Sequence, residues 1–417
     1  MDYLIKKAVI LSKNSPFHNK EMDILIRDGK ITKVARDISA GTEKIVSGKK
    51  LYCCPGLFDI GTHSGEPGYE HRETLESLGE AARAGGFTKL ALFPDTKPVV
   101  QTKAEIHYLR EASSKIGIGV SVIGALSRNL TGQDLAEFMD MAHAGAVAFG
   151  DGLRPVADAG LMNRALLYAK NTGRPVIHHP EDHHLAKGGE MHEGHVSTSM
   201  GLRGVPSMAE LIAVQRDIQL SRYNDAPLIL HAISTEETTD AIRAAKKQSL
   251  KVFANVSYLN LIFTDNDMES FDTNLKVSPP IRSKEDREAL ISGLLDDTID
   301  AIISNHVPLD EESKNLEFPY ASPGATGLET CLAACITYLS ESVGLDIITE
   351  KLTSGPGKLL GMDLSVIKEG NAADICVFDA DEEFEYTAQS ARSVSLNNPF
   401  IGRKLRGKVL LTVWPGV

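Results

Sequence analysis

The sequence predicts an α/β fold, a (β/α)8 barrel of the TIM type joined to a small β-sandwich domain formed by both chain ends, and three observations predict it. Short apolar runs recur eight times through the middle of the chain, at 57–60, 89–93, 120–125, 146–149, 175–178, 228–230, 252–256 and 300–303. Most are followed by a polar or Gly-rich turn and then by helical spacing of apolar residues, as at 75–84 and 209–220, which is the pattern of a repeated strand and helix. The two ends of the chain carry β-rich runs without such helices. The length of 417 residues exceeds one ordinary domain but suits a barrel with a satellite.

At the start, runs at 4–11, 23–27 and 31–35 alternate in polarity, and the last two are separated by the Asp28-Gly29 turn. Asp-Gly tolerates the positive φ angles that a tight hairpin needs. At the end, 373–379 and 408–413 are β-rich with polar connections containing glycine. Chain termini commonly meet at a domain surface, so the division expected is 1–54 with 365–417 for the small domain and 55–364 for the barrel.

Hydrophobic residues at 42% can fill a core of this size, and charged residues at 24% fit a folded chain rather than a disordered one. A formal charge of -12 excludes the basic surface that nucleic acid or an anionic membrane requires, leaving small molecules or proteins as partners. Neither a signal-peptide run nor a stretch of membrane-helix length is found, so a cytoplasmic protein is expected. The five cysteines (Cys53, Cys54, Cys331, Cys335, Cys376) are odd in number and contain no CxxC pair, which predicts buried free thiols rather than disulfides or a zinc ribbon.

In a barrel of this kind chemistry gathers where strands end, and those ends carry His63, Asp95, Asp151, His179, His231 and Asn305. Any one of them is well explained as a residue that solvates a loop. As a set they point to a site.

Residues 55–98, PGLFDIGTHSGEPGYEHRETLESLGEAARAGGFTKLALFPDTKP, together with GAVAFGDG, HPEDHHLAKGGEMHEG, PSMAELIAVQRDI, ILHAIST, FDTNLKVSPPIR, DDTIDAIISNHVP and GATGLET in that order, resemble the dihydroorotase branch of the metal-dependent amidohydrolases. The resemblance runs over nearly the whole chain. It implies a barrel of the amidohydrolase kind and the reversible, zinc-assisted closure of N-carbamoyl-aspartate to dihydroorotate in pyrimidine synthesis. Such chemistry needs a metal-bound hydroxide, since coordination lowers the pKa of water from 15.7 to about 7. It also needs a carboxylate to move the proton and a cation for the substrate carboxylate.

Position by position, the resemblance implies an eroded site. Where the family has a first metal-binding histidine this chain has Gly61, leaving His63 as a remnant; where it has a substrate-binding arginine the chain has Gly65. Two further substrate-binding positions are degenerate, Asp95 for asparagine and Ser278 for asparagine. Asn305 replaces the catalytic aspartate, and an amide accepts no proton at neutral pH. Asp151, His179 and His231 are the metal ligands that remain, so the resemblance implies one zinc ion or none. The neighbouring His178, His183, His184, His192 and His195 are expected on loops or helix surfaces. Restoring the chemistry is expected to need Gly61→His, Gly65→Arg and Asn305→Asp together.

Three functions are compatible with this pattern. The first is a non-catalytic homologue with a structural or regulatory role, as a homo-oligomer or beside aspartate transcarbamoylase or another pyrimidine enzyme. The second is an active cyclic-amide hydrolase with one metal and His306 or Asp95 as base. The third is a sensor that binds a small molecule without turnover. Metal content separates the second from the others, and ligand-induced thermal shifts identify the third.

Overall fold

The computed structural model describes residues 2–39, 41–363 and 365–416. Positions 1, 364 and 417, which bound the division expected above, lie outside the described residues.

All eight expected runs form strands, Leu57–Thr62, Phe87–Leu92, Gly119–Gly124, Ala146–Phe149, Val176–His178, Leu228–Leu230, Val252–Ser257 and Ala301–Ile303. They pair in parallel, each with the next in sequence. Parallel strands covered on both faces read as continuous apolar runs, which is why they were legible. Phe58, Ile60, Ala91, Phe93, Ile123, Ala148, Ile177, Ile229, Ala301 and Ile303 meet in one buried cluster inside the barrel.

Between the last strand and the first, a buried side chain completes the ring. The Ser304 amide and hydroxyl donate to the two carboxylate oxygens of Asp59, each at 2.7 Å, and the His63 amide donates to the His306 carbonyl at 3.0 Å. Burial raises the Asp59 pKa, and these hydrogen bonds oppose the rise. Around the strands, the helix Leu75–Ala84 spans the expected residues and starts on a Thr74 capping box. The helix Ser207–Asn224 exceeds its expectation and stops at Asp225, whose φ is 49°.

The chain ends form one seven-stranded sheet in which Ile375–Tyr386 and Arg403–Val413 join the N-terminal strands through Leu51–Pro55. Ile5, Ile24, Ile26, Val46, Cys53, Ile375 and Val377 share a buried cluster, so this sheet encloses a core of its own. Asp28 and Gly29 have φ of 49° and 69°, the backbone that their residue types favour in a hairpin. The last two strands are longer than the sequence suggested, because register shifts at Val377/Phe378 and Asp379/Glu383 break the alternation while pairing continues. All five cysteines are free and buried, with Cys54 opposite Cys376 across one ladder. No helix of the described residues is long and apolar enough to cross a membrane.

A segment from the tail also reaches the barrel mouth. The Asn397 amide donates to the carbonyls of Val307 and Gly324, at 2.9 and 3.1 Å, while its oxygen accepts from the Leu309 amide at 3.2 Å. Thus the loops after the eighth strand are held by residues that follow it by almost a hundred positions.

Candidate functional site

The first two strands place His63 and Asp95 side by side, with Nδ1 and Oδ2 2.6 Å apart. Burial works against the Asp95 charge, but His63 and the more distant Arg154 outweigh it and hold the carboxyl below its ordinary pKa. The pair is therefore a histidine oriented by an ionised carboxylate. His63 Nε2 and Asp95 Oδ1 have no hydrogen-bond partner.

His231, at the end of the sixth strand, is fully buried, and neither of its ring nitrogens has a partner. Burial, then His179 and His63, pushes its pKa well below the usual value, so the ring is neutral. His179 is likewise neutral, lowered to about 4 by burial and by His178. Its Nε2 lies 3.3 Å from the Ser278 hydroxyl. Ser278 also accepts, through its carbonyl, the Asn305 amide at 3.0 Å, leaving Asn305 Oδ1 without a partner. Asn305 has φ of 46°. His63, Asp95, His179, His231, Ser278 and Asn305 thus meet at the mouth as expected.

The Asp151 carboxylate spends its hydrogen bonds on the loop after the third strand. One of its carboxylate oxygens accepts the Leu126 and Ser127 amides at 2.8 and 2.9 Å, and the other accepts the Ser127 hydroxyl at 2.5 Å. Its job in this structure is to hold the loop after the third strand. Among the described residues no three histidine, cysteine, aspartate or glutamate side chains converge so as to hold a metal ion. The donor set Asp151, His179 and His231 therefore does not fit the zinc that the resemblance implies, and no chemical step is derived through one.

The two glycines are more than missing side chains. A Cβ on Gly61, whose φ is +87°, would stand 2.4 Å from His231 Cε1 and 2.6 Å from Phe93 Cε2. A Cβ on Gly65 would meet the backbone of Glu73 and Tyr69 at 2.3 to 2.6 Å. Neither position accepts a side chain without movement of its neighbours. Phe93 was not singled out in the sequence, yet its ring touches both His63 and His231, with centroids 5.1 and 4.9 Å away. A bulky residue ending a strand opposite a glycine was the available signal, but only the fold makes the two neighbours.

His178 corrects another expectation, since it lies in a strand, is 2% exposed and pairs through Nδ1 with Asp217 at 2.6 Å. Its Nε2 accepts the Val156 amide at 2.9 Å. His183, His184 and His195 are exposed helix residues, as expected, whereas His192 is half-buried in the short strand Met191–His192. His306 is buried too, accepting the Gly327 amide at Nδ1 and facing Glu73 at 3.5 Å through Nε2. Arg282 is spent on the Val205 carbonyl at 2.6 Å and the Ser234 hydroxyl at 3.0 Å. Chemically, the mouth offers one ionised carboxylate and the two neutral imidazoles of His179 and His231, a set suited to hydrogen bonding.

A family model described as Dihydro-orotase-like matches residues 50–238. A protein of Acetivibrio thermocellus named Dihydroorotase is 41% identical over 401 residues, covering 95% of this chain and 94% of its own length. The chain belongs to the dihydroorotase family. A second Dihydroorotase, of Syntrophus aciditrophicus, is 39% identical over 95% of the chain and 94% of its own length. Among solved structures, the L-hydantoinase (dihydropyrimidinase) of Arthrobacter aurescens superposes with a TM-score of 0.87 at 24% identity, covering 100% of this chain and 95% of that one, and shows the same fold. Within the dihydroorotase family, then, this chain keeps the barrel and the sheet of its ends, while its mouth carries Gly61, Gly65, Asp95 and Asn305.

Proposed function

We propose that this dihydroorotase-family protein is non-catalytic and serves a structural or regulatory role in pyrimidine synthesis, beside a partner such as aspartate transcarbamoylase. The observation that carries the reading is the engagement of both Asp151 carboxylate oxygens by Leu126 and Ser127. With both oxygens so engaged, the carboxylate is committed to the loop after the third strand. Asn305 adds to this, because its amide group is committed to the Ser278 carbonyl and cannot take up a proton.

The second reading is an active cyclic-amide hydrolase, and it is favoured by the relatives, which at 36 to 41% identity are named Dihydroorotase. Purified protein assayed in both directions, with zinc added and again after chelation, separates the two. The expected result is no turnover above background in either condition. Turnover of dihydroorotate or N-carbamoyl-aspartate that scales with protein and survives repurification would establish the second reading instead.

A further inference from the structure

The side chain that fills the centre of the mouth is Phe93, and it is fully buried. It belongs to the apolar cluster inside the barrel, together with Phe58, Ile60, Ile177 and Ile303, so the core extends one layer upward at this point. His63 packs against its ring at an interplanar angle of 52°, and His231 meets it edge-on at 83°. Gly61 is what makes room, since any side chain there would overlap Phe93 and His231. Metal–imidazole bonds are about 2.0 to 2.1 Å long, so an ion shared by two histidines needs the space between their nitrogens to be clear. The buried Phe93 ring stands against both imidazoles, its centroid 5.1 Å from that of His63 and 4.9 Å from that of His231.

We propose that Phe93 is a plug that keeps this barrel metal-free, its ring occupying the volume a divalent cation would need between His63 and His231. His63 Nε2 and both ring nitrogens of His231 have no hydrogen-bond partner among the described residues. Gly61 and Phe93 act as a pair: the glycine removes a side chain and the phenyl replaces its volume, preserving the packing that a well-filled interior requires. This holds whether or not the chain turns over a substrate by another route.

The test is cobalt and zinc binding by the full chain. Wild-type protein is expected to leave the spectrum of Co2+ as that of the free aquo ion, and Zn2+ is expected to leave its melting temperature unchanged. Phe93→Ala is expected to bind one Co2+ per chain with intense visible absorption and at least tenfold higher affinity, and Phe93→Ala combined with His231→Gln to lose that signal. Should Phe93→Ala fail to fold by circular dichroism, Phe93→Val opens part of the same space and carries the same comparison. Ring-nitrogen resonances of His63 and His231 that shift when Zn2+ is added to the wild type would overturn the proposal. So would a folded Phe93 variant that binds no more cobalt than the wild type.

Discussion

Gly61 and Gly65 show how one residue type can be read two ways. From sequence each is a lost functional side chain, and restoration looks like a matter of returning it. In the folded chain each is a close approach, Gly61 to His231 and Phe93 and Gly65 to the backbone of Tyr69 and Glu73. Overpacking and a positive φ for a non-glycine residue each cost about 1 to 3 kcal/mol. Gly61→His is therefore expected to destabilise the fold by on the order of 3 kcal/mol, measurable by urea denaturation, and a variant as stable as the wild type would show that Phe93 yields easily. The three changes Gly61→His, Gly65→Arg and Asn305→Asp together are expected to give a poorly folded chain rather than an active one. Asn305→Asp alone is expected to show no turnover. It also exchanges a donor for an acceptor opposite the Ser278 carbonyl, at a cost of about 1 to 3 kcal/mol, so unchanged stability would contradict the observed hydrogen bond.

The segment 311–324, after the eighth strand, is held by two buried ammonium groups that have no carboxylate in contact among the described residues. Lys314 Nζ donates to the carbonyls of Ser322 and Gly324 at 2.9 and 3.0 Å, and Lys276 Nζ to those of Phe318 and Pro319 at 2.7 and 3.0 Å. Burial lowers the Lys314 pKa to about 8, with Asp272 opposing and Lys276 adding to the fall. Between about 8 and the ordinary 10.5 the unfolded chain binds the extra proton, so the Lys314 contribution to stability rises with pH in that window. The rise is on the order of 3 kcal/mol at most. Lys314→Met is expected to lack it, and parallel denaturation curves from pH 8 to 10.5 for the two proteins would refute the assignment. Nothing in the sequence marked these lysines, because a lysine beside polar residues reads as a solvated one until its carbonyl partners, some far along the chain, are brought to it.

Across the whole molecule the end sheet and the barrel are joined at Asp374. Its carboxylate accepts the Thr88 hydroxyl at 2.6 Å and pairs with Lys89, while its carbonyl accepts the Gly56 amide at 3.1 Å. Removing one partner of a buried ion pair costs about 3 to 5 kcal/mol, so Asp374→Ala is expected to lower the melting temperature clearly. If calorimetry shows no change, the sheet and barrel are held by their apolar contact instead. The eight strands, their order and the β-rich ends were legible because continuous apolar runs, period-2 alternation and the Asp28-Gly29 turn are local properties. Family membership was legible for the same reason, as motifs lie in sequence order. The gathering of His63, Asp95, His179, His231 and Asn305 followed from strand ends meeting at one face, and Ser278 was pointed to by the resemblance alone. What only the tertiary structure decided is where each side chain spends its bonds: Asp151 on Leu126 and Ser127, Asn305 on Ser278, and Phe93 in the volume Gly61 vacates. Hydrogen-bond choice and steric exclusion depend on groups far apart in the chain, and a linear pattern does not encode which of two nearby partners a buried carboxylate takes.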